Sequence, residues 1–518
     1  MAQHRSIEYT GVRPVNTTTA DPTGAPLPPL LRLPRELRDL IYQEYVRADG
    51  GYVYNPETNR LAQTDGSSID VSLRLVCRQL ASEVQGLALK LNTITFETCF
   101  SETSREDAGM HHAINTKIER RKREVTKMFA LQLFTSEMAR AVADIYPRVS
   151  PFIDGWSRNS VADLKVLATQ DVYCGEAPSM WRDCLSAVLS QISKHPDFDA
   201  TVVEEGHQAR RPRWIPSDIR QMSELIHASP VPWHIPSRAE RNELAAVAKV
   251  EPRYPFYKQR TKHTYSAASL ALRFLQSLSD TALVAIRSIH LLESHETVAH
   301  PECHGRGFIK ICQQYPNIRI QRFASLWKAV FDVELESRLN YSSFNEDGVD
   351  ASLFERDRLA ASDITYAVGT WVTEALILPS LGMPHGYFTL ILDGNPTPDY
   401  MTEIFEVVQR DVAFQAALDV AYTTGSLPAP TWVARRRCTG YTFDVLPEFI
   451  QTLSTDSPLV RCNFDPGQPH DANKIVDERR GWTPRDWKES WDTHSPREFQ
   501  TKAPLPPWHE LRWQYVIV

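Results

Sequence analysis

The chain has 518 residues, 42% apolar and 23% charged, with 57 Lys and Arg against 64 Asp and Glu for a formal net charge of −7. That composition excludes collagen-like and wholly disordered chains. The mild acidity argues against a general nucleic-acid binder, which carries a basic excess.

At roughly 100–200 residues per domain, about three domains is the starting expectation. Residues 1–29 read as a disordered lead-in, because Pro22, Pro26, Pro28 and Pro29 follow a Thr17–Thr19 run. No apolar signal-peptide core follows Met1. The apolar runs, such as 375–381, fall far short of the ~20 residues of a membrane helix. A soluble chain, cytoplasmic or nuclear and without a membrane partner, is expected. The eight cysteines form no Cys-x-x-Cys pair and read as reduced, buried thiols, which sets aside the sequon at Asn340. No P-loop, Gly-x-Gly-x-x-Gly or Gly-x-Ser-x-Gly motif occurs, and no cofactor is expected.

Along the chain, 31–46 (LRLPRELRDLIYQEYV) predicts a short amphipathic helix. Pro34 suits its first turn, and Leu37, Leu40, Ile41 and Tyr45 recur at helical spacing. Two β-prone pieces around Asn-Pro-Glu-Thr-Asn predict a hairpin at 52–62. Residues 70–91 predict one regular helix, capped by Asp70 and striped by Leu73, Val76, Cys77, Leu80, Val84, Leu87 and Leu91. A strand is expected at 93–98. One long helix or two should cover 114–146 and end at Pro147. Arg120 to Arg123 (RRKR) reads there as a solvated face, with nuclear import the sharper alternative. Seven prolines between 212 and 255 mark loops or a crossing between lobes.

Helices at 265–278 and 361–378, each followed by a strand (286–292 and 387–392), predict a parallel, covered sheet. No leucine-rich period occurs. Five of the twelve tryptophans lie at 482, 487, 491, 508 and 513, in a tail expected to pack back onto the body. The fold class is therefore α+β, helix-rich, with a mixed α/β body of short parallel-type strands. The expected divisions are 1–29, a helical module at 30–98, a helical and proline-rich region at 99–255, and the body at 256–518.

His295, His300, Cys303, His304 and Cys312 gather the residue types of a zinc site. His295 and His300 are five apart, so on a helix they would diverge by ~140°, and Pro301 interrupts the segment. A loop with no metal is the expectation, and a metal-dependent hydrolase is the weakest reading. Arg435, Arg436 and Arg437 read as a solvated corner. His385 and Asp393 flank a strand and are candidates to line a cleft. No catalytic residue is assigned, and the chain is not expected to be an enzyme.

Leu33-Pro34-Arg35-Glu36-Leu37 followed by Ile41 resembles the opening of an F-box. Val76-Cys77-Arg78 resembles its later segment, although Leu80 stands at the usual Trp and 23 residues separate the two helices. Cys77-Arg78-Gln79 with Glu83, then Asn92 to Phe96, is similar to a group of fungal F-box-like proteins. That resemblance implies a protein-interaction module that binds the Skp-type adaptor of a cullin ubiquitin ligase, while the rest of the chain selects a protein substrate that remains unknown. It places Leu33, Pro34, Leu37 and Ile41 in an adaptor groove, with Val76 and Cys77 supporting the second helix. The alternative is a non-catalytic globular protein whose F-box-like helices are a purely structural layer.

Overall fold

The computed structural model describes residues 28–513, apart from 158–174, 208–215, 217, 252–260, 332–343, 346–347, 350–358, 437–439, 454–458 and 495–497. The lead-in up to residue 27, Asn340 and Arg437 lie outside the described residues.

A helix-rich chain surrounds one seven-stranded sheet. Its strands are β1 (Tyr52–Asn55), β2 (Arg60–Gln63), β3 (Ile94–Glu97), β4 (Ser288–Glu293), β5 (Arg319–Ser325), β6 (Phe388–Asp393) and β7 (Val460–Cys462). Across the sheet the order is β2-β1-β3-β4-β5-β6-β7. β1 and β2 form the expected antiparallel hairpin, and every other neighbouring pair is parallel. The hairpin and β3 thus belong to the same sheet as strands two hundred residues further on.

After the hairpin, each crossover steps in the same direction. Right-handed crossovers that never reverse place their helices on one face. The strand patterns agree. In β4, Ile289, Leu291 and Glu293 are buried, while Ser288, His290 and Leu292 are only half-buried. In β6, Phe388, Leu390 and Leu392 are buried and alternate with half-buried Thr389, Ile391 and Asp393. The buried rows pack with the helices Ala267–Gln276, Ala361–Leu376 and Pro398–Thr423 in the principal core. Full burial of a Leu, Ile or Phe side chain stabilises by roughly 1.5–3 kcal/mol. The alternate rows are half-buried or exposed, so the sheet is covered less completely on that face than on the one that meets these helices.

A second core is wholly helical. Helices Glu102–Leu133, Ser136–Ala143, Pro178–Ile192, Ile219–His227 and Arg238–Ala248 bury Ile114, Phe129, Val142, Val188, Leu225 and Ala248 together. The described part of the proline-rich stretch therefore carries two packed helices, joined through Pro230, Pro232 and Pro236. The long helix starts twelve residues before its predicted start and breaks at Phe134, where Thr135 caps the next helix.

The expected helix at 70–91 is three short ones, Ser72–Val76, Arg78–Glu83 and Leu87–Leu91. Cys77 is extended (φ −157°) and caps the second, and Gly86 is left-handed (φ 73°) before the third. A glycine at positive φ ends a helix that apolar periodicity alone would continue. In the tail, Trp487, Trp491 and Trp508 are buried, as expected, and Trp482 stays exposed. Among the described residues, no helix is long and apolar enough to cross a membrane.

Candidate functional site

The helix Arg35–Val46 has two unlike faces. Tyr42 is fully buried, and with Leu80 and Val84 it forms a small core under Leu30, Leu31, Leu73, Cys77 and Leu87. Leu80 fills this core. Glu83 ties the layer together. Its carboxylate accepts from Arg38 Nη2 (2.7 Å) and Nε (3.1 Å), from the Tyr42 hydroxyl (2.6 Å) and from Gln79 Nε2 (2.9 Å). Arg38 donates as well to the Leu33 carbonyl (2.7 Å), which fixes the chain entering the helix. Hydrogen bonding from Arg38 and Tyr42 brings the Glu83 carboxyl down to about 2. Asn92 fastens the far end, donating to the Val46 carbonyl and accepting from Ala48 N–H, both at 2.8 Å.

The outer face is apolar and open. Leu37, Leu40, Ile41 and Tyr45 are 47%, 58%, 44% and 39% exposed. Positions i, i+3 and i+4 share one helical face. The Tyr45 hydroxyl accepts from Leu73 N–H (3.3 Å), so the strip meets the helix Ser72–Val76, where Leu75 and Val76 are exposed. Seven of the thirteen exposed large apolar side chains among the described residues fall between Leu37 and Val76. Scattered exposed apolar residues are ordinary, and this segment holds more of them than any other described stretch.

The six candidate partner-binding residues are placed as follows. Leu33 is half-buried, and Pro34 is exposed and sits just before the helix rather than inside its first turn. Leu37 and Ile41 lie on the open strip. Val76 does not support the second helix. It is 66% exposed and joins the strip, because the helix stops at Cys77. Cys77 does support that region, since its Sγ accepts from Leu80 N–H (3.5 Å) and it packs on the small core. Sequence reasoning passed over Arg38, Tyr42 and Glu83. The one signal for them was the Glu in Cys-Arg-Gln-x-x-x-Glu, which carries a charge at a position that packing makes internal.

The 295–312 cluster does not converge. His304 is buried with Nε2 on the Ala299 carbonyl (2.8 Å) and Nδ1 on the Ser266 and Ser269 hydroxyls (2.7 and 3.1 Å). Cys312 lies in the apolar core. His300 is held between Glu119 (3.0 Å) and Glu302 (3.6 Å). Cys303 Sγ contacts the His300 carbonyl, and burial pushes its thiol far up. Among the described residues, no group of three or more His, Cys, Asp or Glu side chains is placed to hold a metal ion. Ala299 and His300 both adopt positive φ (63° and 60°), a strain of order 1–3 kcal/mol each.

The remaining candidates separate. His385 precedes β6 and Asp393 ends it, so the ~17 Å length of the strand lies between them. A sheet whose order never reverses also has no switch-point crevice for them to line. Arg435 pairs with Asp419, and the side chains of Arg436 and Arg437 lie outside the described residues. The RRKR cluster is a solvated face only in part, with Arg120 exposed and Arg123 half-buried. Arg121 and Lys122 are 2% and 7% exposed, and Arg121 donates to the Val247 carbonyl. The long helix is packed on several sides, which turns part of the run inward.

Compared with protein-family models, curated proteins and solved structures, the chain finds no match.

Proposed function

We propose that the N-terminal layer docks a Skp-type adaptor, so that the protein acts as a non-catalytic, F-box-like substrate receptor in the cytosol or nucleus, presenting an unknown protein substrate for ubiquitination. The observation that carries this reading is the open strip of Leu37, Leu40, Ile41, Tyr45, Leu75 and Val76 on a base clamped by Glu83. The exposure of that face favours a docking role over a purely structural layer. The competing structural reading draws on the hairpin and β3, which lie in the main sheet.

The test is binding of purified full-length chain to purified adaptor, with the double variant Leu37→Asp, Ile41→Asp. Burying the exposed half of each side chain contributes roughly 1 kcal/mol, and the carboxylates add a desolvation cost. A loss of about 100-fold in affinity is expected, with an unchanged thermal midpoint. Absence of wild-type binding, or equal binding by the variant, refutes the reading.

A further inference from the structure

A cavity of about 260 Å³ lies between helix Glu102–Leu133, helix Pro178–Ile192, the connection at 228–233 and the turn at 300–306. That is just below the ~300–1,000 Å³ of pockets for drug-sized ligands, so it suits a small molecule. Its lining combines apolar Ile118, Leu185, Val231 and Trp233 with Lys122, Arg182, Ser186, His300 and Arg306 and the carboxylates of Glu119 and Asp183.

The carboxylates around it have donors. Glu119 takes His300 (3.0 Å) and Arg123 (2.9 Å), Asp183 takes Arg306 (2.7 Å), and Glu302 takes His300. Glu374 takes the N–H and hydroxyl of Ser179, both at 2.6 Å. The cations keep unused capacity. Neither terminal nitrogen of Arg182 has a hydrogen-bond partner, although both are shielded from solvent and Glu302 lies 3.8 Å away. Lys122 Nζ, with three protons to give, has the Ser186 hydroxyl at 3.3 Å. Ser186 is one helical turn from Arg182, which puts the two cations along one wall. Buried donors without acceptors are costly and call for a partner. Burial also pulls the Lys122 ammonium down to about 8, a shift that an adjacent anion would reverse.

We propose that this cavity binds a small organic anion, a carboxylate or phosphate monoester, with its acid group on Arg182 and Lys122 and its apolar body against Trp233, Leu185 and Ile118. His300, one of the two residues in the strained turn, lines the same cavity, and strain of this kind tends to be kept at functional sites. The site is independent of adaptor binding, because none of its residues belongs to the N-terminal strip.

Calorimetric titration of the full-length chain with phenyl phosphate, benzoate and benzyl alcohol tests it. One or both acids should bind saturably with Kd below about 1 mM, and the stronger acid identifies the ligand's head group. Benzyl alcohol should not bind. Lys122→Gln keeps a hydrogen bond to Ser186 but removes the charge. It should weaken acid binding about tenfold, as expected for one charge-assisted hydrogen bond, without moving the thermal midpoint. Arg182→Gln should do the same. If it fails to fold, Lys122→Gln decides. No saturable acid binding, benzyl alcohol binding as well as the acids, or full affinity in Lys122→Gln each overturns the proposal.

Discussion

Replacing Arg322 by Met should unfold the sheet-to-helix joint more than any surface change. Arg322 on β5 and Glu293 on β4 are each 1% exposed and pair at 2.8 Å, with a second contact at 3.0 Å. Glu293 also accepts from Ala267 N–H (3.0 Å) and Ala268 N–H (3.3 Å), the first turn of helix Ala267–Gln276. Arg322 donates to the Pro301 carbonyl (2.7 Å), and its guanidinium lies over the Trp371 ring at 4.6 Å. Removing one member of such a pair strands the other charge, which costs ~3–5 kcal/mol. The helix N-terminus still favours the carboxylate, by up to ~2 kcal/mol. The Pro301 carbonyl, however, loses its donor at ~1–3 kcal/mol. The two corrections nearly cancel, so a loss of about 3–5 kcal/mol stands. The double variant Glu293→Met, Arg322→Met strands no charge and should cost clearly less than the sum of the single changes. Urea unfolding followed by circular dichroism, with hydrogen exchange on β4 and β5, measures both. A loss below ~1 kcal/mol for Arg322→Met, or strict additivity in the double variant, would refute the reasoning.

Other outcomes follow from named contacts. Glu83 has a folded-state value of about 2, below the ordinary 4.5, so its contribution is complete above about 4.5 and is lost as pH falls toward 2. Hydrogen exchange in the 35–46 helix should accelerate over that window, and Glu83→Gln should flatten the response. Gly51→Ala should destabilise by ~2 kcal/mol or more, since φ is +78° and a Cβ would sit 2.4 Å from the Thr93 carbonyl oxygen. Gly66→Ala, at φ +82° with open space around it, should cost only ~1 kcal/mol, and thermal midpoints compare the two. Burial pushes the Cys184 and Cys312 thiols up to about 12 and Cys303 higher still. Iodoacetamide on the folded chain should therefore label exposed Cys99 well before these three, as peptide mass spectrometry would read.

Local signals placed much of the framework. The Tyr-Val-Tyr and Arg-Leu-Ala pieces around Asn-Pro became β1 and β2, and 286–292 and 387–392 became β4 and β6 within a residue or two. Strand β5 escaped notice because Arg322 stands at an inward position, between Ile320 and Ala324. An arginine there breaks the apolar alternation that announces a strand, and only the paired Glu293 makes it tolerable. The 70–91 helix failed for the opposite reason. Its stripe is continuous, but Gly86 and the extended Cys77 interrupt the backbone.

Sequence alone determined the apolar strip at Leu37, Leu40 and Ile41, because residues three and four apart on one helix share a face whatever surrounds them. It also determined the amphipathic helices and the short strands, which depend on neighbours along the chain. Tertiary structure alone decided that this strip stays open while Arg121 and Lys122 turn inward. It alone decided that His304 and Cys303 diverge, and that Glu119, Lys122, Arg182 and His300 meet around one cavity. Those four residues span 182 positions. Burial and charge pairing between distant segments follow from how helices and strands pack, and no local periodicity encodes them.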